Sequence, residues 1–319
     1  MPSKSDRYPA VRAAGFGTLL LLLMSGLSIS IGAIEFGAQD WFILTTSRIP
    51  RTLSTILAGA SLAVAGVVIQ QMVHNRFVEP SMTGSTEAAV LGLVLITIAV
   101  PEAPILTKMI VAASAALLGT GLFLAMVRRL PVHDPLLVPL VGLIYGGIIG
   151  AVAMWIAWGY DMLQLVGAWL LGDMSGVLSG RYELLWLGGA AAALTYLVAD
   201  QLTIIGMGAT RALSLGVNLA MLSILGLAAV SVTSAVVVVT VGAIPFVGLV
   251  VPNIVSRLYG DNLRTTLPLV GVLGATVVLG ADIVGRLLRY PFEIPAATIV
   301  GIVGAALFLW FLLSPKTNE

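Results

Sequence analysis

The chain has 319 residues, of which 59% are hydrophobic and 10% are charged, against about 45–50% and about 25% in an ordinary soluble domain. This composition excludes a soluble globular protein and indicates a protein that crosses a membrane several times. The absence of cysteine excludes disulfides and thiolate metal sites, and a net charge of +1 gives no reason to expect a nucleic-acid partner.

Apolar runs of roughly 20 residues recur along the chain, and each can cross about 30 Å of hydrocarbon as a helix. We therefore predict an all-α polytopic membrane protein with about ten transmembrane helices, which residues 1–319 form as a single domain. A shorter apolar stretch at 163–171 is too brief to cross and predicts a re-entrant or interfacial helix. The ten spans are predicted at 14–34, 53–73, 86–100, 105–127, 136–158, 184–199, 219–241, 243–258, 267–285 and 294–313.

The first apolar run follows basic residues, exceeds the apolar core of a signal peptide and lacks a small-x-small cleavage site. We expect a retained first span and a cytoplasmic N-terminus, so that ten spans return the C-terminus to the cytoplasm. Ten Lys and Arg residues are then cytoplasmic and six external, a weak bias of the expected sign. Three of the external arginines, Arg48, Arg51 and Arg286, lie at span ends on the external face, where positive charge is normally avoided.

The chain carries no sign of its own energy source. No G-x-x-x-x-G-K-[ST] segment occurs, so it has no phosphate-binding loop. The predicted span interiors hold almost no ionisable residue, whereas ion-coupled transporters need such residues at depth and prenyl- or glycosyl-transfer enzymes need carboxylates to hold a metal. His74 and His133 lie in polar breaks, which argues against a buried histidine metal site. We expect a transporter that is not an enzyme, binds no cofactor or metal, and is driven by a partner.

Three blocks of sequence have unusual residue patterns. They are Arg48-Ile-Pro-Arg51 with Gln70, Asn75, Glu79-Pro80 and Gly84; Gly242 to Asn253, followed by Arg257; and Asp282 with Arg286 and Glu293-Ile-Pro295. Taken singly, these residues are equally well explained by helix starts, snorkelling arginines and close helix packing. Pro245 and Pro252 with nearby glycines predict an interrupted helix, which is tolerated only where backbone is buried in protein. The i,i+4 spacing of Asp282 and Arg286 allows them to pair.

Together, in this order and at these separations, the blocks resemble the FecCD-type permeases. These are the membrane subunits of type II ABC importers for iron–siderophore complexes, vitamin B12 and haem. The resemblance extends from about Trp41 to Leu313. Val251-Pro252-Asn253-Ile254, where many relatives have His after the Pro, is similar to the iron–siderophore branch of catecholate and anguibactin uptake. A ferric siderophore is the implied cargo; vitamin B12, haem or another metal chelate is an alternative, and an ion-coupled secondary transporter is a more distant one.

The resemblance implies a ten-helix permease in the bacterial cytoplasmic (inner) membrane, paired with an identical or similar second permease. Two ATPase subunits, which carry ATP and Mg²⁺, would bind inside, and a substrate-binding protein would dock outside. The family's docking arginines correspond to Arg48, Arg51 and Arg286. An arginine fork pairs well with a carboxylate, so glutamates of the binding protein are their expected partners.

The segment at about 205–218 resembles the family's coupling helices, which rest in a groove of the ATPase; from the residues alone it is an ordinary loop helix. Relatives often have Glu at Ala209 and Arg at Leu213, so less polar contacts are expected here. The matching positions are Gly208, Thr210, Arg211, Ala212, Leu215 and Gly216.

The family's cytoplasmic gate corresponds to the loops after spans two and four. In this chain they contribute Asn75 and Phe77, and Asp134 and Pro135, which could also be simple turn residues. Relatives usually have Asn-Pro-Leu in the first loop, where this chain has Asn75-Arg76-Phe77. Phe77 would be a bulkier apolar plug, and a hydrophobic constriction closes by excluding water.

Overall fold

The computed structural model describes residues 7–31, 40–129, 136–290 and 292–313. The residues described form α-helices joined by turns and contain no strand, which confirms the predicted all-α class. A π-helical turn (Leu44–Arg48) and two 3-10 turns (Pro80–Thr83 and Tyr182–Leu184) connect some of them. The helices are α1 (Arg7–Ser30), α2 (Asp40–Ile43), α3 (Ile49–Val73), α4 (Ser85–Ala99), α5 (Ile105–Val127), α6 (Leu137–Gly159), α7 (Leu163–Leu170), α8 (Leu185–Leu197), α9 (Ala199–Gly206), α10 (Ala209–Ser214), α11 (Leu219–Val241), α12 (Val247–Tyr259), α13 (Leu263–Leu288) and α14 (Ala296–Leu313).

Among these described helices, six runs are long and apolar enough to cross a membrane. The pair α8 and α9, bent by 71° at its break, adds a seventh span if the two count as one. The shorter apolar helices α4, α12 and α14 lie at the third, eighth and tenth predicted spans. Every predicted span thus has a helical counterpart. Several boundaries differ by a few residues; the second run differs most, since it begins at Trp41, and α13 continues to Leu288.

Helix α3 is central because its small residues let other backbones approach closely. A Cβ atom on Gly59 would lie 2.3 Å from the carbonyl oxygen of Gly274 in α13. One on Gly66 would lie 2.0 Å from the carbonyl oxygen of Gly248 in α12. Membrane helices associate through such close backbone packing, since lipid offers no hydrophobic driving force between them. Helices α8, α11, α12 and α13 all pack on α3.

The segment after α3 turns back into the interior of the fold, a feature that the sequence analysis did not predict. His74 ends α3 in the left-handed conformation, with φ of 54°. Pro80 then packs against Gly248, which itself touches Gly66 inside α3. Thr83 and Ser85 each donate a hydrogen bond to the carbonyl oxygen of Pro80, both at 2.7 Å. Since α4 starts from this depth, it has only part of the membrane left to cross. Its 15 residues, fewer than a full span needs, are enough for that part.

The interruption predicted in the second block is confirmed. Helix α11 ends at Val241 and α12 begins at Val247. A Cβ atom on Gly242 (φ 84°) would lie 2.7 Å from the backbone nitrogen of Gly172, so this position requires glycine. The N–H of Ala243 donates to the carbonyl oxygen of Trp169 in α7 at 3.0 Å. The break is therefore shielded by α7, which at eight residues is too short to cross, as predicted.

Candidate functional site

At the end of the fold that is predicted to be external, which we call the outer end, two arginines share one buried carboxylate. Oδ1 of Asp282 accepts hydrogen bonds from Nε and Nη2 of Arg51 at 3.0 and 2.7 Å. Its Oδ2 lies 2.8 Å from Nη2 of Arg286, which confirms the predicted pair. Arg51 also donates from Nη1 to Oε2 of Glu293 at 2.8 Å. The cluster thus joins α3, α13 and the segment before α14.

Arg286 and Arg48 both bind the last carbonyl groups of α1. Arg286 donates from Nη1 to the carbonyl oxygens of Ser28 and Ile31 at 2.9 and 3.0 Å, and from Nη2 to Oγ of Ser28 at 2.6 Å. Arg48 donates from Nη1 to the carbonyl oxygen of Ile29 at 3.1 Å. The last four carbonyls of a helix have no partner within it, and positive charge is favourable there. These two arginines therefore fix the outer end of α1.

The three predicted docking arginines differ in the surface that they offer to an external protein. Arg48 is 9% exposed and Arg286 is 6% exposed, and both have partners within the chain. The side chain of Arg51 is 13% exposed, beside that of Glu293 at 32%. Arg289 is exposed and lies over a neighbouring phenylalanine ring. Docking stays a prediction for the three residues, and Arg51 is the one at the open edge of the cluster.

The loop that follows α3 holds two of the predicted gate residues. Oδ1 of Asn75 accepts a hydrogen bond from the backbone N–H of Phe77 at 2.8 Å, which closes an Asx turn. The ring of Phe77 meets the ring of Phe308 in α14 edge to face, with 6.0 Å between their centres, a favourable aromatic geometry. The other predicted gate residues, Asp134 and Pro135, lie outside the described residues.

Helix α12 also binds this loop. Nδ2 of Asn253 donates to the carbonyl oxygens of Arg76 and Leu249, each at 2.7 Å. The side chain of Arg76 forms an exposed ion pair with Asp261 at 2.6 Å. Residues from the second sequence block thus fix the loop that belongs to the first block.

A buried carboxyl group lies in the same loop, at the start of α12. Glu79 is 3% exposed, and its Oε1 accepts hydrogen bonds from the N–H of Phe246 at 3.0 Å and from Oγ of Ser81 at 2.5 Å. Phe246 has φ of 67°, which is rare for a bulky residue. The Glu79 contact therefore holds a strained residue at a helix N-terminus, where an acidic group is favourable.

After Asp282 and Glu79, a third acidic side chain lies inside the fold, which limits the prediction that the span interiors hold almost no ionisable residue. Glu87 is in the first turn of α4, and its Oε2 is buried without a hydrogen-bond partner in the described part of the chain. A Cβ atom on Gly146 in α6 would lie 3.2 Å from this oxygen, and one on Gly150 would lie 3.5 Å from Cγ. The two glycines therefore make the room that this side chain occupies.

Helix α10 lies within the predicted coupling segment. Gly208 precedes it with φ of 111°, and Gly216 follows it with φ of 75°, conformations that favour glycine. Ala212 is fully buried and anchors the helix, whereas Thr210 and Arg211 are exposed. The segment is thus a short helix between two glycine turns, as the sequence indicates.

Two leucines are exposed on this segment beside its polar residues. Leu213 is 62% exposed and Leu215 is 66% exposed. Beside it opens a polar cleft with a volume of about 590 Å³ that includes His74, Asp200 and Met207 in its walls. Two exposed leucines next to a polar cleft are typical of a protein-binding surface with an apolar centre and a polar rim.

Among the described residues, no three His, Asp or Glu side chains are grouped so that they could hold a metal ion. Ser28 and Phe308 lie outside the three sequence blocks, and Glu79 and Phe246 lie within them but were given no role by the sequence analysis. The Glu79–Phe246 contact joins residues 167 positions apart, and the contact of Arg286 with Ser28 joins residues 258 apart. No local pattern in the sequence indicates contacts of that separation.

With six long apolar helices, a bent pair and short helices that meet in the interior, the structure is that of a multi-pass membrane protein. Residues 14–314 match the FecCD transport family, and the chain belongs to this family. It is 39% identical to the petrobactin import system permease protein YclN of Bacillus subtilis strain 168, over 93% of this chain and 97% of that protein.

Two further likenesses support this placement. The chain is 41% identical to the ferric-anguibactin transport system permease protein FatD of Vibrio anguillarum strain ATCC 68554 / 775, over 87% of this chain and 88% of that one. A solved structure described as an ABC transporter assigned to the metal-chelate type, in an inward-facing conformation, has a TM-score of 0.80 and 24% identity. That alignment covers 95% of this chain and 99% of the other. The chain therefore shares the fold of that transporter.

Proposed function

We propose that the chain is the transmembrane permease subunit of an ATP-binding-cassette importer, and that it carries a ferric siderophore across the bacterial cytoplasmic membrane. The observation that carries this proposal is the family match over residues 14–314, together with the names of the two similar permeases. Vitamin B12, haem or another metal chelate is the alternative cargo within the same architecture.

The partners follow from the same proposal. Two ATPase subunits bind at the cytoplasmic face and hold ATP and Mg²⁺, since this chain has no phosphate-binding loop. The exposed leucines 213 and 215 on the α10 segment support an ATPase contact there. A second permease, identical or similar, completes the channel, and an external binding protein delivers the cargo. The permease itself catalyses no covalent step.

Transport proceeds by a shift between outward-open and inward-open states. ATP binding and hydrolysis in the partner drive this shift, because the two states differ in their affinity for the partner. The loop with Asn75 and Phe77 closes the inner end against α14, and a constriction of aromatic rings excludes water when closed. Arg51, at the open edge of the outer cluster, supports docking of a carboxylate from the binding protein.

The test is uptake by the purified chain in proteoliposomes with its ATPase and binding protein. We expect ATP-dependent accumulation of a radioactive ferric catecholate siderophore, and none when the ATPase is inactivated. Cyanocobalamin and haem, offered with the same components, distinguish the alternative cargoes. Accumulation driven by an ion gradient without any ATPase contradicts the proposal and favours a secondary transporter.

A further inference from the structure

Glu79 is an acidic side chain in the protein interior that the proposed transport steps do not use. Among the described residues, none of the ion pairs includes it. A carboxyl group shielded from water is costly unless its oxygens accept hydrogen bonds. Its Oε1 accepts two, one from the backbone of Phe246 and one from Ser81. The carboxyl group of Glu79 is therefore held by hydrogen bonds to particular groups of the chain and not by water.

The partner lies at the break between α11 and α12. Phe246 is the N-cap residue that precedes α12, and its carbonyl oxygen accepts a hydrogen bond from the N–H of Val250 at 2.8 Å. Its backbone is in the left-handed region, so it needs surrounding contacts to stay there. The hydrogen bond from its N–H to Glu79 is such a contact. Without it, the first turn of α12 loses the group that satisfies one of its free N–H donors.

Phe246 is also fitted against α14, the helix that Phe77 touches. A Cβ atom on Gly304 would lie 2.4 Å from the Cβ of Phe246, so the side chain of Phe246 packs directly against the backbone of Gly304. The ring of Phe246 lies 6.5 Å from that of Phe308, between ring centres. Phe308 in turn contacts Phe77 at 6.0 Å.

These contacts close a ring within one subunit. The loop after α3 reaches α14 directly through Phe77, and a second time through Glu79 and Phe246. Glu79 follows Phe77 by two positions, with the fully buried Val78 between them. A shift of the loop relative to α12 therefore has to break the Glu79 hydrogen bond or carry α12 with it.

We propose that Glu79 is a positioning residue of the cytoplasmic gate, an inference that rests on the transport function proposed above. Its carboxyl group binds the loop with Phe77 to the start of α12, so that the loop, α12 and the inner half of α14 move as one unit. Glu79 does not touch the cargo. It sets where Phe77 lies against Phe308 in the closed state.

Two variants of Glu79 test the proposal, one that changes the charge of the side chain and one that changes its length. Glu79→Gln keeps the length and an oxygen that accepts from Phe246, whereas Glu79→Asp keeps the charge but shortens the reach by one methylene group. Both are assembled with the ATPase and the binding protein in lipid nanodiscs and proteoliposomes. Two quantities are measured: amide hydrogen exchange in the segments 74–84 and 242–250, and cargo imported per ATP hydrolysed.

We expect Glu79→Asp to speed exchange at the Phe246 amide about tenfold and to lower cargo per ATP by about the same factor, since a buried donor loses its acceptor. Glu79→Gln should stay within about twofold of the unmodified chain in both measurements, because the acceptor is retained. Equal behaviour of the two variants, whether both normal or both impaired, overturns the proposal.

If Glu79→Asp does not assemble with its partners, a variant of Phe308 tests the proposal instead. Phe308→Ala removes the ring between Phe77 and Phe246 but leaves Glu79 in place, and it should lower cargo per ATP without slowing ATP hydrolysis. Phe311→Ala is the matched control, because that ring contacts Trp310 instead. Unchanged coupling in Phe308→Ala overturns the proposal. If the unmodified assembly imports no chelate, the proposed function fails, while the exchange data still test the Glu79 contact.

Discussion

Arg286 donates a hydrogen bond to the carbonyl oxygen of Ser28 at 2.9 Å and thereby joins the last turn of α13 to the last turn of α1. The same guanidinium lies 2.8 Å from Asp282, whose other oxygen binds Arg51. Helix α1 packs mainly on α13, so this contact fixes its outer end where the intrahelical hydrogen bonds run out. The stability of the outer end of the fold therefore depends on one carboxylate.

Replacing the carboxylate of Asp282 should strongly destabilise the folded protein. Asp282→Asn leaves two largely buried guanidiniums without their partner and should lower the free energy of unfolding by about 3–5 kcal/mol. The measurement is denaturant unfolding in mixed micelles. The matched control is Asp261→Asn, which removes the exposed pair with Arg76 and should cost at most about 1 kcal/mol. Similar losses in the two variants would contradict the structural role given to Asp282.

Substitutions of Arg51 and Arg286 should affect different properties, docking of the binding protein for Arg51 and stability for Arg286. Arg51→Gln should weaken docking of the binding protein about tenfold or more, because an interfacial charge pair is lost, and should lower the unfolding temperature less than Arg286→Gln does, since Asp282 keeps Arg286 as a partner. Arg286→Gln should instead lower the unfolding temperature, since α1 loses its cap. Docking is measured by surface binding of the purified binding protein to nanodisc-embedded transporter. Arg289→Gln is the control at a nearby exposed arginine, and weakened docking with unchanged stability in Arg286→Gln refutes the separation.

The contact between Gly66 and Gly248 should not tolerate a single methyl group. Gly66→Ala places a Cβ 2.0 Å from a backbone oxygen, and neither helix can yield without moving other contacts. We expect a loss of about 1–3 kcal/mol or more in the free energy of unfolding. The control is Gly26→Ala in α1, where a Cβ would meet nothing within 4 Å; that variant should be neutral or slightly stabilising. Comparable destabilisation in both would show that the close approach is not what matters.

The α10 segment should contribute to ATPase binding through its leucines. Truncating Leu213 and Leu215 together to Ala should weaken association with the ATPase subunit about tenfold or more, because exposed apolar area that a partner covers is lost. Titration of labelled ATPase into nanodiscs measures this affinity. Ser214→Ala, on the same exposed segment, should leave it unchanged. An unaltered affinity in the double leucine variant would remove this segment from the ATPase interface.

Much of the architecture follows from hydrophobic run length and from proline and glycine. The break before α12 is predicted by Gly242 and Pro245, and it occurs where α7 shields it. The short length of the third span can be seen in the sequence, but the reason for that short length cannot. The return of the loop after α3 depends on Pro80 fitting against Gly248, a contact between residues far apart in the chain that no periodicity encodes.

The arginines show the same limit at the outer end. Their unusual position at span ends marked them in the sequence, and the i,i+4 pair of Asp282 with Arg286 was predicted by spacing. Their hydrogen bonds to α1 could not be predicted, because all the acceptors except Oγ of Ser28 are main-chain carbonyls. Every residue carries such a group, so the sequence around Ser28 and Ile31 has nothing to distinguish it.

The meeting of α3 and α12 at Gly66 and Gly248 also fixes the geometry of any tilt between them. The two backbones cannot move closer together at this contact. Because the contact lies in the first turn of α12, a tilt of α12 relative to α3 would pivot about that end of the helix. Tyr259, eleven residues further on, is about 16 Å away along the helix axis. A tilt of about ten degrees would then swing the Tyr259 end by about 3 Å, by the same helix geometry, while the Phe246 end stays almost still.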